Sequence, residues 1–187
     1  MNVYAIFDSA ASARLVGRII DDPSLLLGAA KEQSSAIMMA GGALRREHTP
    51  TVLVLDSDSL EERAILSEQA EINGIMSLYG SPLPYRLVLA VPQVEAILFS
   101  DREGLEKALG RKVGDEDWFE ARFRPRAILK RLLAGSDYEE ALRKLGKALD
   151  DTALRRMARH PIIQEIRGFM AEVQEPAAKR ARVRRAG

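Results

Sequence analysis

The stretch Thr51–Leu55 reads TVLVL and runs without a spacer into Asp56-Ser57-Asp58-Ser59. A run this continuous in its apolarity does not alternate as a half-exposed strand would, so it predicts a central strand of a parallel sheet covered on both faces. The rest of the chain has to be arranged around it. Val3–Phe7 (VYAIF), ending at Asp8, predicts a first strand, and Ala10–Ile20 behind it has helical spacing. Ala36–Ala40 (AIMMA) reads as a second strand and Arg86–Val91 as a fourth, while Ser24–Glu32 reads as either a short helix or a loop. After the central strand, Leu60–Leu78 predicts a long helix with Ser59 as its N-cap and Glu61 and Glu62 in the first turn.

Strands alternating with helices predict an α/β fold with a mostly parallel four-stranded sheet flanked by helices, occupying residues 1–112. From Asp115 onward only helical patterns occur, at Trp118–Leu133, Tyr138–Leu149 and Ile162–Val173. Residues 113–174 therefore read as a helical extension packed on the sheet, and 175–187 as a basic, disordered tail. Lys179, Arg180, Arg182, Arg184 and Arg185 supply five of the 28 basic residues, and setting them aside turns the net charge of +1 into −4. Cysteine is absent, which excludes disulfides, a thiolate nucleophile and cysteine-based metal sites and fits a cytoplasmic setting. The N-terminus lacks the basic segment of a signal peptide. No apolar run approaches the roughly 20 residues that cross a bilayer, so no membrane partner is expected.

In a parallel α/β sheet, ligands bind outside the carboxyl ends of the strands. The first, third and fourth predicted strands place Asp8, then Asp56 and Asp58, then Glu95 at that edge. Carboxylate oxygens are hard ligands suited to Mg²⁺ or Mn²⁺, which keep several waters and take only one or two protein carboxylates. The two aspartates could instead cap the next helix, but Ser59 is available for that and acids recur at neighbouring strand ends. Cations that could meet nucleic-acid phosphates fall in three places. Arg45 and Arg46 follow the AIMMA strand and so could line the same edge as the acids. Arg122, Arg124, Arg126 and Lys130 lie in RFRPRAILKR beside Trp118 and Phe119, and Lys179 and Arg180 lie in the tail. The bland reading of all three is a solvated surface. His160, before Pro161, reads as structural, and two histidines without cysteine disfavour zinc. Ser9 and Ser12 lack a nucleophile elbow and a histidine partner. Gly41-Gly42 has neither a dinucleotide fingerprint nor the P-loop lysine, so ATP hydrolysis by this chain alone is not expected.

The segments IFDSAASARL, VLVLDSDS and LVLAVPQVEAILFSD, in that order, resemble a Toprim domain, the metal-binding module of topoisomerases, primases and OLD-type nucleases. Val94-Glu95-Ala96-Ile97-Leu98 with Asp101, and HPIIQEIRGFM near the end, are similar to small bacterial Toprim-like proteins linked to phage defence. The resemblance covers Met1–Leu109 and that closing helix. It implies that Asp56 and Asp58 hold Mg²⁺ and that Asp8 stands at the family's first-strand glutamate, as metal ligand or general acid/base. It implies that Glu95 is the later acid, and that the ion polarises a DNA or RNA phosphodiester and activates water. A separate ATPase subunit is the implied protein partner, and a homo-oligomer is compatible with it. Two departures stand out: Asp8 is one methylene shorter than glutamate, and Ser12 takes a place where nuclease versions carry another acid. The alternative is therefore a catalytically degenerate Toprim fold with a binding or structural role. A phosphatase or nucleotide-sugar transferase with an Asp-x-Asp strand end ranks lower, because this pair follows the third strand and the chain is short.

Overall fold

The computed structural model describes residues 1–57, 59–133 and 137–185, with side chains to residue 175. Asp58, and the side chains of Lys179 and Arg180, lie outside the described residues. Four strands, β1 (Val3–Phe7), β2 (Leu25–Ala29), β3 (Thr51–Asp56) and β4 (Tyr85–Ala90), form one sheet in the order β2-β1-β3-β4. Every pairing is parallel. The fold is thus α/β with β3 internal, as its uninterrupted apolarity requires.

Pleating sends alternate residues to opposite faces, and each face has its own cover. Val3, Ala5, Phe7, Val52, Val54, Val88 and Ala90 point to one core. It is shared with α1 (Ala10–Ile20), α4 (Arg102–Leu109), α6 (Pro125–Leu132), α7 (Tyr138–Ala148), α8 (Asp151–Met157) and α9 (Pro161–Arg185). Ile6, Leu53 and Leu55 point the other way, onto α2 (Gln33–Arg46) and α3 (Glu62–Ser77). The helices after residue 113 are therefore one wall of the sheet's own core.

Two expectations about elements are overturned. The second strand is Leu25–Ala29, and Ala36–Ala40 lies inside α2. The reason is a difference of packing, not of composition. Ala36, Ile37, Ala40, Gly41, Ala43 and Leu44 are buried along one helical face. LLLGA instead pairs in register with β1 from Val3–Leu25 to Phe7–Ala29, and as an edge strand it leaves Leu26 and Leu27 exposed. The predicted helix Trp118–Leu133 is two helices, α5 (Asp115–Glu120) and α6, because Pro125 opens α6 and disfavours helix in the residue before it. Helix α3 begins at Glu62 without a side-chain cap, and the Ser59 hydroxyl accepts instead from the Glu61 N–H at 3.0 Å.

Moving 36–40 into a helix also moves Arg45 and Arg46. They sit in the last turn of α2, which returns the chain to the start of β3, so they lie at the sheet edge opposite the strand-end acids. The expectation that they line the same edge is corrected accordingly. Gly41 has a packing reason: a Cβ there would come within 2.2 Å of the Tyr79 ring. Gly41→Ala should lower stability by about 1–3 kcal/mol through overpacking, measurable by urea unfolding.

Candidate metal centre at the strand ends

In the order β2-β1-β3-β4 the chain leaves β1 toward one side for β2 and toward the other for β3, so the switch point lies between the carboxyl ends of β1 and β3. Asp8 follows β1 directly and Asp56 is the last residue of β3. Glu95 joins them from the 3-10 helix Val94–Ser100 that follows β4. The structure therefore brings three of the four expected acids to one crevice.

Each is fixed differently. Asp8 Oδ2 accepts from the Asp56 N–H at 3.3 Å, while its Oδ1 is buried with no hydrogen-bond partner among the described residues. Ser12, at the position expected for a further acid, is also buried, its hydroxyl without a partner among the described residues. Asp56 Oδ1 accepts from the Val94 N–H at 2.8 Å, and its Oδ2 meets the Arg126 guanidinium. Glu95 is 1% exposed and spends both oxygens. Oε1 accepts from Arg126 Nε at 2.7 Å and from the Tyr138 hydroxyl at 2.8 Å, and Oε2 accepts from Arg126 Nη2 at 3.1 Å. A bidentate guanidinium pair of this kind fixes geometry as well as charge.

Arg126 was expected at a nucleic-acid surface; its guanidinium is instead turned into the acid cluster. Pro125 starts α6 beside the β4 loop, where the Arg126 N–H donates to Gln93 Oε1 at 3.2 Å, and burying the side chain requires a carboxylate partner. Glu95 serves as its anchor, nearly fully buried with its oxygens bonded to Arg126 and Tyr138. Among the described residues no three acidic or histidine side chains are grouped so as to hold a metal. Two carboxylates, Asp8 and Asp56, remain, and two suffice for an ion that keeps its waters.

Burial dominates the electrostatics. It raises the Asp8 carboxyl above the ordinary range despite the Asp56 N–H and the nearby Arg126. It carries Asp56 up to about 6, where Glu95 and Asp8 add repulsion and Arg126 opposes. Arg126 itself is raised, its desolvation outweighed by Glu95 and Asp56. Tyr138 is raised by burial and by Glu95, so it donates as a neutral phenol. Asp56 moves against its own ion-pair partner because burial, with Glu95 and Asp8 beside it, outweighs the guanidinium.

An aspartate that holds its proton more tightly in the folded chain than in the unfolded one stabilises the fold while the proton is bound. That contribution fades as pH rises from about 4, the unfolded value, to about 6. Without divalent ions, unfolding free energy should therefore fall over this window. Asp56→Asn should remove on the order of 2 kcal/mol of that slope relative to the wild type, as read from urea titrations at pH 4.5 and 7.

Several neighbours carry no signal in the sequence. Tyr138 opens α7 and Gln93 precedes the 3-10 helix, and only tertiary packing links them to the acids. Glu68 on α3 reaches the β3–α3 loop, accepting from the Ser57 hydroxyl at 2.9 Å and from Gln33 Nε2 at 2.9 Å. Asp101 is a structural anchor: its Oδ1 accepts from Arg156 at 3.2 Å, while Oδ2 has no partner among the described residues. Of the remaining expected cations, Arg124 pairs with Glu120, Arg122 lies 5.6 Å from the Phe119 ring centroid, and Lys130 lies 5.3 Å from that of Tyr138. His160 accepts the Ile162 N–H at the start of α9. Among the described residues no helix is long and apolar enough to cross a membrane.

Neither the protein-family models, nor the curated proteins, nor the solved structures contain a significant match to this chain. The functional reading therefore rests on its own residues.

Proposed function

We propose that this chain is a Toprim-like phosphodiesterase acting on nucleic acid, with Asp8 and Asp56 as protein ligands of a Mg²⁺ or Mn²⁺ ion. One observation carries the reading. Asp8, Asp56 and Glu95 gather at the switch point around one guanidinium, which bonds Asp56 and Glu95 while Asp8 takes only the Asp56 N–H, so when all are ionised the cluster has two negative charges more than Arg126 balances. The donors are hard oxygens and one of them, Asp8 Oδ1, is buried without a partner among the described residues, so the residues fit such an ion. Asp58 would complete the family's pair. When bound, the ion would supply Lewis acidity toward the phosphoryl oxygen and a lowered pKa for its water.

The chain's own residues would do the positioning. The Val94 N–H orients Asp56 and the Asp56 N–H orients Asp8. Arg126, held by Glu95, to which Tyr138 also donates, is placed beside the ligands where it could turn toward a phosphate. The end of α5 and the turn before α6 expose Phe119, Arg122 and Phe123, a pairing of aromatic rings and charge that suits a nucleic-acid strand. A separate ATPase subunit and a role in phage defence extend the same resemblance.

A second reading has a specific observation in its favour. Arg126 already neutralises Asp56, as a catalytically degenerate subunit with a structural or binding role would have it. Calorimetric titration with Mn²⁺ separates the two. The wild type should bind one ion, and Asp8→Ala or Asp56→Ala should abolish binding while leaving circular dichroism unchanged. A wild type that takes up no ion would leave the degenerate subunit standing.

A further inference from the structure

The cleft between α1 and α7 takes no part in the reading above. Its volume is about 340 Å³, within the range of small-ligand pockets. Ala11 and Leu15 of α1 face Leu142 and Gly146 of α7 across its floor, and the floor offers no side-chain hydrogen-bonding group. The rim is cationic on both sides, with Arg14 and Arg18 one turn apart on α1 and Arg143 and Lys147 one turn apart on α7. At one end these charges are matched, Arg14 by Glu139 at 3.6 Å and Arg143 by Glu140. Toward the other end, Arg18 and Lys147 have no acidic partner among the described residues.

Cations near helix C-termini complement the macrodipole, which would account for Arg18 and Lys147 alone. It does not account for Gly146. Glycine is among the poorest helix formers, and here it sits inside α7 with no positive φ to require it. A Cβ at Gly146 would meet no atom within 4 Å, so no neighbouring group demands the small residue either. Gly74 and Gly168 share that freedom but are exposed to solvent, whereas Gly146 is buried, and the empty space beside it is the cleft. What the glycine preserves is depth.

We propose that the α1–α7 cleft binds a small organic anion with an apolar body, the body lying on Leu15, Leu142 and Gly146 and the anionic group between Arg18 and Lys147. The floor cannot read polar groups on the ligand, so selectivity comes from charge and shape. The limited volume favours a small molecule over a protein segment.

The test titrates the full chain with 1-anilinonaphthalene-8-sulfonate and with its uncharged analogue N-phenyl-1-naphthylamine, following fluorescence. The sulfonate should bind saturably at one site. Arg18→Ala/Lys147→Ala should weaken it by about tenfold and leave the uncharged analogue unchanged, since a charge-assisted contact is lost only for the anion. Gly146→Leu should weaken both probes by at least about tenfold by filling the floor. Should that variant not fold, Gly146→Ala, whose methyl meets open space, should fold and weaken both by a few-fold. No saturable binding to the wild type, or binding unmoved by either glycine variant in folded protein, overturns the proposal, as does equal loss of both probes in the arginine/lysine variant.

Discussion

Asp56→Ala is expected to lower Mg²⁺- or Mn²⁺-dependent cleavage of nucleic acid by about a thousandfold or more. On the proposed reading this carboxylate is one of two protein ligands among the described residues, and metal-assisted hydrolysis depends on the ion for both substrate polarisation and an activated water, each worth several kcal/mol. The other ligand, Asp8, should behave alike. Asp8→Glu is the informative companion, because it adds the methylene by which this chain differs from the Toprim pattern it resembles, and it should retain cleavage. The pH profile gives an independent readout. Burial holds Asp56 up to about 6, so a protonated fraction competes with the ion in mildly acidic solution. Ion affinity should therefore rise as pH climbs through this range and level off above it. Asp56→Asn separates chemistry from folding, since the amide keeps the size and the contact with the Val94 N–H but cannot be ionised. Cleavage undiminished in Asp56→Asn, at unchanged metal dependence, would end the reading of this crevice as the catalytic centre.

The parts of this argument that were legible in the sequence are those set by local pattern. TVLVL announced a buried strand because apolarity without alternation leaves no face for water, and the acid at its end follows from where parallel sheets place their ligands. The second strand was not legible. LLLGA and AIMMA are equally apolar over five residues, and what separates them is the pairing of Leu25–Ala29 with β1 and the longer helical face that runs on to Leu44. That single exchange also misplaced Arg45 and Arg46, because a helix end and a strand end lie at opposite edges of the sheet. The acids of the cluster were legible because Asp8 and Asp56 sit at strand ends and Glu95 in the short helix that follows one. Arg126 was recognised as a cation but not as their partner, because 70 residues separate it from Asp56 and 31 from Glu95. No periodicity encodes such a contact. Burial explains it afterwards: a carboxylate 1% exposed is stabilised by a charge brought to it.

That dependence makes Arg126→Met the most destabilising single change expected in this crevice, by about 3–5 kcal/mol at pH 7. Methionine replaces much of the side-chain volume, so the loss comes from Glu95, left buried against Tyr138 without a counter-charge, and from Asp56, left partly buried beside it. For a chain of this size the corresponding fall in melting temperature is about 10 °C. Arg126→Lys should recover only part of it, because an ammonium cannot span both oxygens of Glu95 and still reach Asp56 as the planar fork does. The deficit should shrink at pH 5, below the value of about 6 at which Asp56 takes up its proton. Glu95→Gln in the Arg126→Met background should restore most of the stability, since the buried charge disappears together with its partner. The same background tests how the crevice is used. If Arg126 merely completes a structural ion pair, millimolar Mg²⁺ will leave the melting temperature of Arg126→Met where it was. If the surplus carboxylates belong to an ion, Mg²⁺ will raise it, and by more than it raises the wild type, because the guanidinium no longer competes for Asp56.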